Sequence, residues 1–460
     1  MPPQLAFLIY LVPIYFAFRS DRINGRLSPK ALFWPSLWYM VVASHVIGYW
    51  LDLWGIPLPN GSDDPTDGSI IDRYFFAALT VIGFWILSRR RFSWGVLFRN
   101  NPWLTMLLAY MAASILWSQY PYVSLKRYIK VIGSIVMALV VLTEERPREA
   151  VFTVIRRCLY IHLPMSILCT RYYRDIGVSY SFSGSGQEWQ GISTSKNTLG
   201  QIAMLGVVYF SWELKKNWSK YRWKNIHLLY LLMALYLLKG QGDSVSMTSV
   251  SVGAIALLVF VRIQALRERP QALRSFVWMS FSVMLALATL VVVHGVVMFS
   301  EDSFFGILIT KFGRDITLTD RTNIWHDVFS VASANPIFGI GFGGFWIGRV
   351  ANIPWAAQLT WVLGQAHSGY IDTYLQTGFV GVFLLIGVLF STLRQLINAF
   401  AVDFDFSCFR ITMLVTIIFV NITESTFLRG DHQFWFITML VCWLVPGHQR
   451  DKIVGDNENR

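Results

Sequence analysis

The apolar residues of this chain arrive in unbroken blocks long enough to cross a lipid bilayer, and few folds accommodate that. Ala31 to Leu51, Pro102 to Ser118, Phe276 to Phe299 and Ile371 to Phe390 are examples. A bilayer core of about 30 Å takes about 20 apolar residues as a helix. In lipid the backbone must satisfy its own hydrogen bonds, which leaves helices or closed barrels. Barrel strands alternate apolar and polar positions, and these blocks do not. Hydrophobic residues make up 54% of the chain and charged residues 14%, well under the roughly 25% charge of soluble domains. The expected fold is an all-α integral membrane protein with about 12–13 transmembrane helices, near residues 4–18, 31–51, 70–88, 102–118, 124–142, 150–170, 198–212, 226–238, 247–261, 275–299, 370–392, 410–421 and 432–446. Residues 1–446 then form one polytopic domain, followed by a short tail, 447–460. The first block has no positive leader and no cleavage site, so it reads as a retained helix.

The loops alternate in charge. Arg19 to Lys30, Arg89 to Arg99, Arg146 to Arg157, Lys215 to Lys224 and Arg262 to Arg274 are basic, whereas Asp52 to Ser69 is acidic. Lys and Arg collect on the cytoplasmic side of membrane proteins. The net charge of +12 is therefore read as topology, not as nucleic-acid binding. That orientation puts the tail in the cytoplasm and two long loops, Arg171 to Asn197 and 300–369, outside. Long structured loops tend to carry function. Three of the four cysteines, Cys158, Cys169, Cys408 and Cys442, lie in apolar blocks, so no disulfide scaffold is expected.

Basic residues on the outer side run against the topological bias, so each needs a reason. They are Arg171 and Arg174 in Thr170-Arg-Tyr-Tyr-Arg-Asp-Ile-Gly177, Lys196 in Ser195-Lys-Asn-Thr-Leu-Gly200, and Lys311, Arg314 and Arg321 in the large loop. Lys126, Arg127 and Lys130 open a helix on the same side. A bound anion would explain them, because arginine offers phosphate a planar fork and lysine a point charge. Pairing with Asp175, Asp315 or Asp320, or snorkelling to headgroups, would explain them as well. The trio Lys126, Arg127 and Lys130 fits this second account better, and Arg171, Lys196 and Arg321 fit the first. His367, where the large loop meets a helix, could accept a proton from a sugar hydroxyl, or could cap the helix. His45, His162 and His294 sit in apolar blocks, His227 and His448 fall on the cytoplasmic side, and His326 and His432 lack a ligand-spaced partner. Gly339-Ile-Gly-Phe-Gly-Gly344 matches a dinucleotide fingerprint as text but lacks its βαβ context. It reads as a tight loop that lets a backbone approach a ligand. Asp403-Phe-Asp405 resembles a metal-holding DxD without a surrounding domain. No metal and no cofactor are expected, since no cluster has zinc-ligand spacing.

Four motifs occur in order between the apolar blocks: Ser195-Lys-Asn-Thr-Leu-Gly200, Asp320-Arg-Thr-Asn-Ile-Trp325, Asn335-Pro-Ile-Phe-Gly-Ile-Gly-Phe-Gly-Gly344 and Ala366-His-Ser-Gly-Tyr-Ile-Asp372. Together they resemble the O-antigen ligase and polysaccharide polymerase superfamily. Trp117-Ser-Gln-Tyr-Pro121, Ser124-Leu-Lys-Arg127 and Arg171-Tyr-Tyr are most similar to its branch of succinoglycan-type exopolysaccharide production proteins. The resemblance implies a C-type glycosyltransferase in the bacterial inner membrane with its active site facing the periplasm. It would take a glycan from undecaprenyl diphosphate and pass it to a lipid or glycan acceptor. It further implies His367 as the base, and Arg321, Arg171, Lys196 and Arg174 as diphosphate ligands. Two positions depart from the family. Met247 stands where relatives often have a basic residue, and Ser368 replaces the asparagine of a His-Asn-Gly motif. A polymerase of repeat units would share this chemistry with a different acceptor. A lipid-linked glycan flippase would instead place charges at mid-membrane and show repeats, and a scaffold subunit would need no such residues.

Overall fold

In a computed structural model, the structure describes residues 1–23, 29–56, 69–90, 92–180, 186–217, 224–241, 246–297, 321–347 and 364–444. The expectations for Lys311, Arg314, Asp315, Asp320 and the tail 447–460 lie outside the described residues.

Each apolar block lies on a helix or a bent helix pair. The chain runs α1 Pro3–Ile23, α2 Phe33–Ala43, α3 Ile47–Leu53, α4 Ile70–Ser88, α5 Trp94–Asn100, α6 Pro102–Ser114, α7 Pro121–Leu142, α8 Pro147–Tyr172 and α9 Arg174–Gly177. A short hairpin follows, β1 Val178–Tyr180 against β2 Gln187–Trp189, antiparallel. Then come α10 Lys196–Asn217, α11 Lys224–Lys239, α12 Met247–Ala265, α13 Pro270–Val297, α14 Arg321–Ala332, α15 Gly369–Asn398, α16 Phe404–Thr423 and α17 Gln433–Cys442. Among the described residues, seven helices have the length and apolar composition to cross a membrane, and the pair around Ala43–Ile47, bent by 68°, makes an eighth. The protein is an all-α integral membrane protein.

α8 and α16 are largely buried inside the bundle, while α1 turns Leu5, Leu8, Ile9 and Val12 outward. In lipid such outward apolar faces are solvated, so burial inside the protein marks the structural centre rather than the hydrophobic one. The break between α2 and α3 releases the carbonyl of Ala43 from helical bonding. His162 Nε2 lies 3.0 Å from that oxygen, Ser193 Oγ donates to it at 3.4 Å, and Ser166 Oγ meets the other ring nitrogen at 3.1 Å. Neighbouring side chains thus re-satisfy the freed backbone, as a membrane interior requires. His162 is therefore a structural histidine.

The two ends of the bundle differ in charge. At one end arginines pair with acids: Arg156 with Asp21 at 2.7 Å, Arg148 with Asp403 at 2.8 Å, and Arg90 with Glu144. Asp403 also caps α16 by accepting from Phe406 N, so the Asp403-Phe-Asp405 motif has a structural role. The starts of α4, α7, α10, α12, α15 and α17 gather at the opposite end, which carries the candidate site.

Candidate active site

The site is built from three chain segments that meet at Glu424. α16 ends at Thr423, and Glu424 follows as its C-cap. Its carboxylate is buried, with its side chain only 7% exposed. Oε1 accepts from Arg321 Nη2 at 2.9 Å and from Asn197 Nδ2 at 2.8 Å. Oε2 lies 3.8 Å from His367 Nδ1. Arg321 opens α14, Asn197 lies in the first turn of α10, and His367 precedes α15. Sequence-distant motifs therefore converge on one acid. Burial works against ionisation of Glu424, yet contact with His367 and the charge of Arg321 hold its carboxyl below the usual value. It is an anion between two cationic or protonatable groups.

The backbone around His367 is tightly fixed. His367 has φ 53°, the left-handed region that a residue with a Cβ adopts only when its surroundings enforce it. The residue before it supplies that enforcement. Trp325 Nε1 donates to Ala366 O at 2.6 Å, and Ala366 N donates to the Asp372 carboxylate at 3.2 Å. Trp325 lies one helical turn beyond Arg321, and Asp372 lies in the first turn of α15. The motifs Asp320–Trp325 and Ala366–Asp372 are thus coupled. Each contributes one group that faces the site and one that grips residue 366. Asp372 also accepts from Trp346 Nε1 at 2.8 Å, which ties in the glycine-rich loop.

The backbone of that loop is held against the protein, and Phe342 and Gly343 also line a cavity. Ile340 N and Gly341 N donate to the carbonyls of Leu375 and Gln376, and Gly343 N to Gln376 Oε1 at 2.9 Å. α15 is broken at Gly378, where φ is 62° and Ile337 O lies 2.3 Å from the position a Cβ would occupy. The loop fills this break, with Phe379 N and Val380 N donating to Pro336 O and Ile337 O.

The other expected phosphate ligands occupy separate surroundings. Lys196 pairs with Glu188 of the hairpin at 2.5 Å, beside Asn197. Arg171 lies over the rings of Trp189 and Tyr236, and its Nε donates to Tyr236 Oη at 2.5 Å. Arg174 donates to Gln187 Oε1. Among the described contacts, the structure brings Arg321 and His367 together at Glu424, sets Lys196 next to that group, and holds Arg171 and Arg174 against the hairpin and α11. Met247 opens α12 with its side chain half exposed, and the neighbouring Thr248 Oγ1 contacts Thr423 Oγ1 at 3.0 Å. Sequence reasoning missed Glu424 and Asn197. The available signal was an acid within Asn421-Ile-Thr-Glu-Ser-Thr426, a polar run between two apolar blocks at the end where the unexplained cations gather.

This constellation coincides with what sequence comparison finds. A family model described as O-Antigen ligase matches residues 228–386, the stretch holding Arg321, the glycine-rich loop and His367. Over that stretch the chain is similar to the O-antigen ligase and polysaccharide polymerase superfamily. It is also similar to the exopolysaccharide production protein ExoQ of Rhizobium meliloti (strain 1021), with 24% identity over 304 residues. That match covers 64% of this chain and 66% of ExoQ. It accords with the succinoglycan-type branch of the superfamily.

Proposed function

We propose that this protein is a membrane glycosyltransferase that moves a glycan from undecaprenyl diphosphate to an acceptor hydroxyl, as an O-antigen ligase does, at the periplasmic face of the inner membrane. The observation that carries the reading is the triangle of Arg321, Glu424 and His367. A nucleophile's proton acceptor and a cation for a leaving anion stand on either side of one buried carboxylate, with the backbone of the histidine locked. This is the base–orienter arrangement expected of acid–base chemistry.

Nδ1 of His367 lies between Gln365 Nε2 at 3.3 Å and Glu424 Oε2 at 3.8 Å; in this reading the ring turns its Nδ1 proton to Glu424, and Nε2 meets the acceptor. The acceptor oxygen attacks the anomeric carbon from the face opposite the diphosphate. Its proton passes to Nε2, the bond between the anomeric carbon and the diphosphate oxygen breaks, and the diphosphate leaves with the bonding electrons and with inversion at carbon. Glu424 stabilises the imidazolium formed in that step. Arg321 meets the charge developing on the diphosphate, the kind of fixed electrostatic stabilisation that dominates many such reactions. Lys196 assists from the adjacent position, and Arg171 and Arg174 bind the headgroup further out. In this mechanism Arg321 takes the role a metal ion would otherwise fill, and turnover is expected to persist in chelator. Removing the fork while keeping the charge, by Arg321→Lys, is the test. Transfer is expected to fall strongly, and full activity in Arg321→Ala at normal protein level removes the residue from the site.

A polymerase of lipid-linked repeat units is the second reading, favoured by the relative named for exopolysaccharide production. The lipid-linked glycan that accumulates when the protein is deleted separates the two. Full-length chains indicate a ligase, and single repeat units a polymerase.

A further inference from the structure

The loop 424–431 that supplies Glu424 also supplies Arg429, and both bear on one atom of His367. The loop is firmly held. Thr426 N and Phe427 N each donate to Asn421 Oδ1 at 3.0 Å, Leu428 is buried with φ 59°, and the backbone of Lys130 and Val131 leaves no room for a side chain at Gly430. Residue 429 is therefore fixed from both sides. Arg429 Nη1 donates to Gln365 Oε1 at 2.7 Å, and Gln365 Nε2 lies 3.3 Å from His367 Nδ1. A guanidinium has donors and no acceptor, so it dictates which way the Gln365 amide points. The oxygen faces Arg429, and the NH2 group is left facing the imidazole. An NH2 group only donates, so Nδ1 accepts, and the proton of a neutral His367 sits on Nε2. Ala366, between the two side chains, is gripped by Trp325 and Asp372, so the backbone under both is fixed.

Glu424 demands the opposite of the same nitrogen. Its Oε2, 3.8 Å away, is beyond hydrogen-bond reach as the ring stands. A carboxylate only accepts, so contact with it requires a proton on Nδ1. Nδ1 is thus contested between a donor that favours one tautomer and an acceptor that favours the other. Only the second tautomer leaves Nε2 a free lone pair. We propose that Arg429 and Gln365 are positioning residues that hold His367 of the free protein with its proton on Nε2, where it cannot act as a base, and that the ring becomes a base by leaving Gln365 for Glu424. The inference deepens the transfer reading and rests on His367 being the group that takes the acceptor's proton. The change balances without a further reagent. The His367 side chain is 23% exposed, so water removes the proton from Nε2 and delivers one to Nδ1, and the ring is neutral before and after. Because the backbone is locked at φ 53°, the movement is confined to the side chain, and a shift of about 1 Å brings Nδ1 to Glu424. Such a latch protects the donor. A base poised at Nε2 with no acceptor present would activate water instead, and the lipid-linked glycan would be lost to hydrolysis. Arg429 also lines the cavity of about 510 Å³ shared with Lys126 and Lys130, so the latch is accessible from the space beside the site.

The test reads the tautomer directly. Purified full-length protein carrying isotope-labelled histidine is placed in lipid nanodiscs, without donor or acceptor, at about pH 8.5, above the ordinary imidazole value of about 6.5. The nitrogen chemical shift separates a protonated from an unprotonated ring nitrogen, and the His367 signals are assigned by their loss in His367→Ala. Wild type is expected to show Nδ1 unprotonated. Gln365→Glu keeps the shape and the acceptor for Arg429 but offers Nδ1 an oxygen, so it is expected to move the proton to Nδ1. A wild-type spectrum with Nδ1 protonated overturns the proposal, and so does a Gln365→Glu spectrum that matches the wild type's. The second readout is hydrolysis of the lipid-linked donor with no acceptor present. Gln365→Met removes the NH2 group and leaves Nδ1 to Glu424. One hydrogen bond of this kind biases an equilibrium by about two- to tenfold, and hydrolysis is expected to rise by about that factor. A packing role alone predicts a fall, and a rate at or below the wild type's overturns the latch. Failure of the transfer reading looks different, because glycan transfer then persists in His367→Ala whichever tautomer the spectra show.

Discussion

Replacing Glu424 with glutamine separates two effects that a purely structural role would merge. Glutamine keeps the shape and an acceptor oxygen for Asn197 Nδ2 and Arg321 Nη2, now 2.8 and 2.9 Å away, but removes the charge. Arg321 then loses its neutralising partner. Close charge pairs couple by several kcal/mol when fully desolvated. The Arg321 side chain retains 17% exposure, so solvent screening reduces that figure to about 1–2 kcal/mol. The released guanidinium is available to the donor's phosphates, and donor affinity is expected to rise by about 5–30-fold, since 1.4 kcal/mol is tenfold. Transfer moves the other way. His367 loses the carboxylate that orients it and balances the imidazolium, and kcat is expected to fall by about 10²–10³, within the usual range for general-base catalysis. Tighter binding with slower turnover marks the loss of an interaction that opposes ground-state binding and supports the transition state. The assay is donor binding by direct titration, alongside transfer at saturating donor, in purified protein. Unchanged turnover, or donor binding and turnover lost in equal proportion, refutes this account of Glu424.

Three further outcomes follow from the same geometry. Trp325→Phe keeps a ring in a fully buried position but strands the Ala366 carbonyl, so folding stability is expected to drop by about 1–3 kcal/mol and turnover to fall with little change in donor affinity, as measured by unfolding and single-turnover kinetics. Because the Glu424 carboxyl is held below its usual value, its ionic contribution is fully present above the ordinary carboxylate range and is lost as pH falls through the lower folded value. The Glu424 part of thermal stability is thus expected to hold from neutral pH to about 4.5 and to be lost below, and Glu424→Gln is expected to remove that part of the decline. His432, pushed down to about 3 by burial and by Arg429, stays neutral in the fold while the unfolded chain takes up a proton below about 6.5, so it adds a separate decline that begins there and that Glu424→Gln leaves in place. A cysteine at Ser333, exposed at the site end, is expected to react with an impermeant thiol reagent in spheroplasts while one at Ala401, exposed at the arginine-paired end, does not; the reverse pattern overturns the orientation.

The membrane architecture was legible because block length and the period of charge along the chain report directly on the bilayer. The breaks were less so. The bend after Ala43 is stabilised by His162 and Ser193, which are 119 and 150 residues away, and no local signal announces that rescue. In the site, Arg321 and His367 stood out because cations and a histidine on that side need a reason. Glu424 did not, since one acid on a short loop is unremarkable until three-dimensional packing brings Arg321, Asn197 and His367 to it. The glycines of 339–344 were legible as a tight turn but not as a plug for the break at Gly378, because a close approach in sequence does not name what is approached. Lys126 and Lys130 read best as snorkelling lysines from local context alone. Their common cavity depends on Arg429, some 300 residues further on.

The most direct test of the transfer mechanism is His367→Ala, with donor binding and glycan transfer measured separately on purified, folded protein with chelator present. The account predicts that undecaprenyl-diphosphate-linked donor binds within a few fold of wild type while transfer falls by about 10²–10⁴. Transfer retained at the wild-type rate contradicts it, as does a loss of donor binding large enough to explain the whole decline.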